Sequence, residues 1–179
     1  MIDEKVIIAG FGGQGVMLMG QLLSYTATAE ELNTLWFPSY GPETRGGTAN
    51  CSVTISESSV NSPVISTPDS IIIMNKPSLD KFQSKLKEGG HLFLNSSLVK
   101  DVKLRKDVNI HNVAANDIAL KLGNLKVANM VMLGAYLEIT KVFDQKNVLE
   151  MLKKKFTGSK ATLININEKA LEAGRQAVL

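Results

Sequence analysis

Four glycines within six residues, Gly10-Phe11-Gly12-Gly13-Gln14-Gly15, stand between a short apolar run and a helical repeat. This arrangement constrains the fold more than any other feature of the chain. Val6-Ile7-Ile8-Ala9 has no polar position, as in a parallel strand covered on both faces. From Val16 onward, Val16, Met19, Gly20, Leu23 and Ala27 recur at helical spacing until Glu30-Glu31 and Asn33 mark an exit. Strand, turn and helix in that order satisfy Gly-x-Gly-x-x-Gly in its nucleotide-binding context. Positions without side chains let the backbone approach a phosphate, and the following helix presents unpaired N–H groups at its positive end. Gly10, Gly12, Gly13, Gln14 and Gly15 are therefore candidate cofactor-binding residues.

The same stretch must be weighed as a membrane span, because Val6 to Ala29 carries no charged residue and about 20 apolar residues suffice to cross. Its content argues against that. Five glycines and two glutamines interrupt it, and irregular backbone exposed to lipid is not tolerated. No membrane association is expected. Met1-Ile2-Asp3-Glu4-Lys5 is unlike a signal peptide. A single cysteine, Cys51, allows neither an intramolecular disulfide nor a four-Cys metal or iron–sulfur site, which fits a reducing cytoplasm. The net charge of +3 on 179 residues is too small and scattered for a nucleic-acid protein. Lys153-Lys154-Lys155 reads as the basic end of a helix, where cations complement the dipole.

A dinucleotide site also needs an acidic residue at the end of the second strand, about 20 residues on, to hold ribose hydroxyls. Leu35-Trp36-Phe37 is that strand, and it ends in Phe37-Pro38-Ser39 with no acid. NAD or NADP binding is thereby disfavoured, and a stand-alone nucleotide-binding regulatory module remains as a further alternative.

Downstream, Thr48 to Ile55 alternates apolar and polar residues, the pattern of an antiparallel strand. Glu57-Ser58-Ser59 reads as its turn and Val60 to Ile65 as the returning strand. Ile71 to Met74 resumes the buried parallel pattern, Leu92 to Leu94 reads as a further strand, and Val108 to Val113 precedes the last helices. Pro77 opens a helix bearing Leu79, Phe82 and Leu86 on one face, ended by Gly89-Gly90. Further helices are expected at about 114–122, 126–141, 144–155 and 166–177, with Gly123, Asp144 and Asn165 at boundaries. The whole of 1–179 is expected to be one α/β domain: a Rossmann-like, open, mostly parallel sheet with helices on both faces and an antiparallel hairpin.

The stretch from Ser39 to Cys51, SYGPETRGGTANC, lies where open α/β sheets place ligands, at the carboxyl end of a strand. Tyr40 supplies a hydroxyl, Thr44 another, and Arg45 between small residues offers a bidentate grip on carboxylate or phosphate. With GFGGQG and DSIIIMNKPSLDKF, this loop resembles the gamma subunits of the 2-oxoacid:ferredoxin oxidoreductases over most of the chain. The likeness is nearer to the 2-oxoglutarate and branched-chain types than to the pyruvate type.

That resemblance implies a shared reaction, in which a 2-oxoacid is oxidatively decarboxylated to an acyl-coenzyme A and carbon dioxide while ferredoxin is reduced. Thiamine diphosphate with magnesium and the iron–sulfur clusters would sit on alpha, beta and, where present, delta subunits. This agrees with the lack of a Gly-Asp-Gly thiamine motif and of a cysteine cluster here. The gamma part would close over the active site and help bind coenzyme A, with Gly12 to Gly15 facing its phosphates and Thr44-Arg45-Gly46 opposite. No catalytic residue and no metal ligand is assigned to this chain. An exposed apolar patch is expected where partners dock, through which a lone chain could form a homodimer. Cys51 reads as core, His91 and His111 as surface or strand-end residues, Lys76 and Lys126 as solvated lysines at helix starts, and Met17, Met19, Met130 and Met132 as helix packing.

Overall fold

The computed structural model describes residues 1–42 and 47–179. Its strands are β1 (Asp3–Phe11), β2 (Asn33–Tyr40), β3 (Thr48–Ser56), β4 (Ser70–Ile73), β5 (His91–Asn95) and β6 (Asn109–Val113), forming one sheet in the order β2-β3-β1-β4-β5-β6. The run from β1 through β4 and β5 to β6 is parallel. β3 is antiparallel to both β1 and β2.

Helices α1 (Val16–Ala29), α2 (Lys76–Phe82), α3 (Ala115–Lys121), α4 (Ala128–Thr140), α5 (Gln145–Lys155) and α6 (Ile164–Gln176) complete the domain. Helices cover both faces, as the apolar runs require. Val6 and Ile8 of β1 enter one core with residues of α1, α4, α5 and α6, while their neighbours Ile7 and Ala9 enter a second core with Leu79 and Phe82 of α2. A strand with period-two side-chain direction can be apolar throughout only if both sides are covered. β3 needs a close approach on one side: a Cβ on Gly20 of α1 would lie 2.5 Å from Cys51 Sγ and 2.8 Å from Trp36 Nε1. Glycine there lets the helix settle onto the hairpin.

The antiparallel hairpin exists, but its partners differ from expectation. Val60 to Ile65 form no strand. Both edges of β3 are already occupied, by β2 through pairs such as Tyr40↔Ala49 and by β1 through pairs such as Gly10↔Ala49, so no edge remains for a returning strand. The hairpin is β2–β3, and its connection is the segment that contains Thr44, Arg45 and Gly46.

Two boundaries also move. α2 ends at Phe82 and passes into a 3-10 turn at Gln83–Lys85, well before Gly89, whose φ of 73° serves the turn into β5. Asn165 lies inside α6 rather than before it. Pro77 does occupy the first turn of α2, where Asn75 caps the helix by accepting from the Ser78 amide at 3.0 Å. Among the described residues, no helix is long and apolar enough to cross a membrane.

Candidate functional site

The carboxyl ends of β1 and β4 meet at the glycine turn. β1 stops at Phe11, Gly13 takes φ 92° and Gly15 takes φ 73° as the N-cap of α1. Both glycines hold left-handed backbone that a side chain would strain. Gly13 has nothing within 4 Å of where a Cβ would stand, whereas a Cβ on Gly15 would lie 2.2 Å from Asn129 Nδ2. Asn129, on α4, donates to the Gly15 carbonyl at 3.3 Å and so fixes the start of α1 from behind. The first turn of α1 contains no acidic residue to offset the positive end of its dipole.

Gln14 braces the turn. Its Oε1 accepts from the Phe11 amide at 2.6 Å, and its Nε2 donates to the Met74 carbonyl at 3.4 Å. A Cβ on Gly10 would lie 2.6 Å from that same Oε1 and 2.8 Å from Met74 Cβ. Gly10 is therefore required by packing, since Gln14 must fold back over it to clamp β1 to the end of β4.

The two glycine loops are joined directly, because the Gly12 amide donates to the Gly47 carbonyl at 3.0 Å. Tyr40 stands in the same cross-strand row as Ala49 and Gly10, two strands from the turn and thus about 10 Å away. It is 70% exposed. Gly10, Gly12, Gly13, Gln14, Gly15 and Tyr40 thus share one end of the sheet. Thr44, Arg45 and Gly46 lie outside the described residues.

Beside the turn opens a cleft of about 490 Å³. It is lined by Gly13 and Gln14 of the turn, Met74 after β4, Asn116 of α3, and Asn124, Leu125, Lys126 and Ala128 between α3 and α4. Asn124 accepts from the Lys126 amide at 3.0 Å and shapes the bend between α3 and α4. Asn95, at the end of β5, donates to Asn116 Oδ1 at 3.0 Å and to the Met74 carbonyl at 3.4 Å. These asparagines carried no readable pattern in the sequence. They converge only because parallel strands deliver the ends of β4, β5 and β6 to one rim.

Other titratable groups cluster at the opposite, amino end of the sheet. Tyr136 of α4 donates to Glu4 Oε1 at 3.2 Å, and burial raises the Glu4 carboxyl to about 6. His91 Nδ1 and His111 Nε2 approach to 3.0 Å, with His111 stacked on Phe93. The two imidazoles lie half-buried and in contact with each other, a pairing that their separation in sequence did not suggest. Burial lowers both pKa values. Cys51 is buried, and its thiol is pushed up to about 12, as expected for core rather than a nucleophile. Among the described residues, no group of three or more His, Cys, Asp and Glu side chains could hold a metal.

Fold and site together define a Rossmann-like α/β domain whose glycine turn and adjoining cleft suit an anionic, nucleotide-like group. The chain belongs to the pyruvate ferredoxin/flavodoxin oxidoreductase family, which matches residues 5–177. It is 40% identical over 173 residues to the ketoisovalerate oxidoreductase subunit VorA of Methanothermobacter marburgensis, covering 96% of this chain and 36% of that protein. It thus spans about a third of the length of that relative. To the 2-oxoglutarate synthase subunit KorC of the same organism it is 32% identical, over 98% of this chain and 97% of the relative. The solved gamma subunit of a keto/oxoacid ferredoxin oxidoreductase from Geobacter sulfurreducens superposes with TM-score 0.82 at 27% identity, covering 98% of each chain. The fold also matches 31% of a 2-oxoglutarate:ferredoxin oxidoreductase chain from Magnetococcus marinus, solved with 2-oxoglutarate, coenzyme A and succinyl-coenzyme A bound, over 99% of this chain with TM-score 0.90 and 21% identity.

Proposed function

We propose that this chain is the gamma-type component of a 2-oxoacid:ferredoxin oxidoreductase, acting on a branched-chain 2-oxoacid or 2-oxoglutarate. In the assembled enzyme it closes the thiamine site held by the alpha and beta subunits and binds coenzyme A as co-substrate. The observation that carries this reading is the end-to-end likeness to KorC, a subunit named for 2-oxoglutarate synthase, combined with a glycine turn fitted to phosphate.

The turn meets the needs of that ligand. Gly13 leaves open space for a diphosphate, and no described residue accepts from the Gly13 or Gly15 amide. Those N–H groups and the positive end of α1 match its charge. Arg45, from the neighbouring loop, would face the phosphates from the other side. The chemistry itself is supplied by thiamine diphosphate and iron–sulfur clusters on the partners, so this chain alone is inactive.

Coexpression with the alpha, beta and delta components tests the proposal. The chain should copurify with thiamine- and iron–sulfur-containing partners, and the complex should reduce ferredoxin only with a 2-oxoacid and coenzyme A. A complex that forms and turns over equally well without this chain would overturn it.

A further inference from the structure

β2 forms one edge of the sheet, with β3 on its inner side and, among the described residues, no strand on its outer side. It is eight residues long, and none of them is fully buried. Asn33-Thr34-Leu35-Trp36-Phe37-Pro38-Ser39-Tyr40 carries no charged side chain. Edge strands that stay solitary are as a rule short, bulged or charged, because their unpaired N–H and C=O groups otherwise recruit another strand.

The hairpin register decides which backbone groups face outward. The Gly41 amide donates to the Thr48 carbonyl at 2.7 Å, so these two residues form a hydrogen-bonded pair. Bonded and non-bonded pairs alternate along an antiparallel ladder. Counting back through Tyr40↔Ala49 and Ser39↔Asn50, Ser39, Phe37, Leu35 and Asn33 bond to β3, while Tyr40, Pro38, Trp36 and Thr34 turn their backbone groups to the open edge. Pro38, which has no N–H to offer, falls where a strand proline must. Among the described residues, no hydrogen bond reaches the outward groups of Thr34 and Trp36.

We infer that two copies of this chain pair through β2, antiparallel about a two-fold axis at Leu35, joining their sheets edge to edge. A strand without charge meets its own copy with no like charges opposed, so β2 is its own electrostatic complement. The register follows from the outward groups. With Leu35 on the axis, Thr34 stands opposite the partner's Trp36, and each such pair exchanges both backbone bonds. Moving the axis to Trp36 sets Thr34 against the partner's Pro38, which cannot donate. Moving it to Thr34 sets Trp36 against the partner's Leu32, whose amide is already taken by the Ala27 carbonyl. In the Leu35 register the two Leu35 side chains meet across the axis, on the same face as Phe37, which is 49% exposed. The partner's Phe37 lies diagonally across from Leu35, and pairing draws both from water.

The test uses the full chain by itself. Sedimentation equilibrium should show a monomer–dimer equilibrium in the micromolar range. Leu35→Lys and Leu35→Glu should each weaken the dimer about tenfold or more, as like charges come to face each other, and mixing the two variants should restore it. Leu35→Cys should give a disulfide-linked dimer under mild oxidation, because non-bonded antiparallel partners have Cα atoms about 4.5 Å apart. Phe37→Cys should not, since the two copies of that position lie about 13 Å apart along the strand. Circular dichroism verifies that each variant keeps the fold, and if the charge variants do not, the two cysteine variants decide. A chain monomeric at every concentration overturns the proposal and leaves the edge to a strand of another subunit. A dimer that survives both charge substitutions, or that cross-links through Phe37→Cys and not Leu35→Cys, overturns it as well.

Discussion

Gly12 and Gly47 are bound backbone to backbone, the amide of one donating to the carbonyl of the other at 3.0 Å. The turn after β1 is therefore tied to Gly47, just before β3, at the carboxyl end of the sheet. Substitutions in either loop should act on the same ligand. Gly13→Ala and Arg45→Ala are each expected to raise the KM for coenzyme A in the assembled complex about tenfold or more, with kcat less affected. Gly13→Ala should cost only about 1–2 kcal/mol of stability, the strain of a left-handed alanine in open space. Unchanged coenzyme A kinetics in both variants would refute the shared site.

Gly15 should behave differently from Gly13 because Asn129 is in the way. Gly15→Ala adds a 2.2 Å clash with the Asn129 amide to the backbone strain. It should destabilise the fold by more than Gly13→Ala does in urea unfolding. Asn129→Ala removes the clashing amide. The double variant should therefore be less destabilised than the sum of the two single changes. Strict additivity would show that the clash is relieved by other means.

α4 and α6 pack with almost no space between their backbones. A Cβ on Gly134 would fall 2.0 Å from the Leu171 carbonyl oxygen, and one on Gly174 1.9 Å from that of Val131. Neither obstacle is a flexible side-chain end. Gly134→Ala and Gly174→Ala should each lower stability by about 3 kcal/mol, since the helices must separate to make room. Thermal unfolding would check this, and a loss below about 1 kcal/mol in both would contradict the packing.

Two groups of titratable residues at the amino end of the sheet pull stability in opposite directions. Glu4 is raised from its ordinary 4.5 to about 6, chiefly by burial. The folded protein thus binds its proton more tightly than the unfolded chain. This contribution is fully present below about 4.5 and is lost as pH rises through 6, amounting to about 2 kcal/mol. His91 and His111 are lowered by burial, so their contribution is present above 6.5 and lost as pH falls. Glu4→Gln keeps an acceptor for Tyr136 and removes the first effect. It should be more stable than the parent at pH 7.5, gain little at pH 5, and lose stability more steeply on acidification. An equal gain at both pH values in urea titrations would exclude the assignment to Glu4.

Cys51 should be inert in the folded protein. A thiol raised to about 12 and buried beneath α1 is scarcely ionised at neutral pH. A thiol-reactive disulfide reagent should titrate no group until denaturant is added, and then one. Rapid reaction of the native chain would mean that the α1–β3 contact opens readily.

The sequence by itself determined the local elements and the turn chemistry of this protein. The uninterrupted apolar run of β1, the glycines before Val16 and the spacing of Met19, Leu23 and Ala27 are short-range signals. Each is enforced by the chain within a few residues of itself. The expectation of a site at Ser39 to Cys51 likewise rests on local residue types. What only the tertiary structure decided was pairing at long range. Nothing within Thr48–Ser56 says that both its edges will be filled by β1 and β2, which is why Val60 to Ile65 read as a strand but had no edge to join. The same holds for Asn95, Asn116, Asn124 and Lys126, which converge on Gly13 through the order of parallel strands. That order is set by which buried faces pack together over the whole domain, and no local spacing records it.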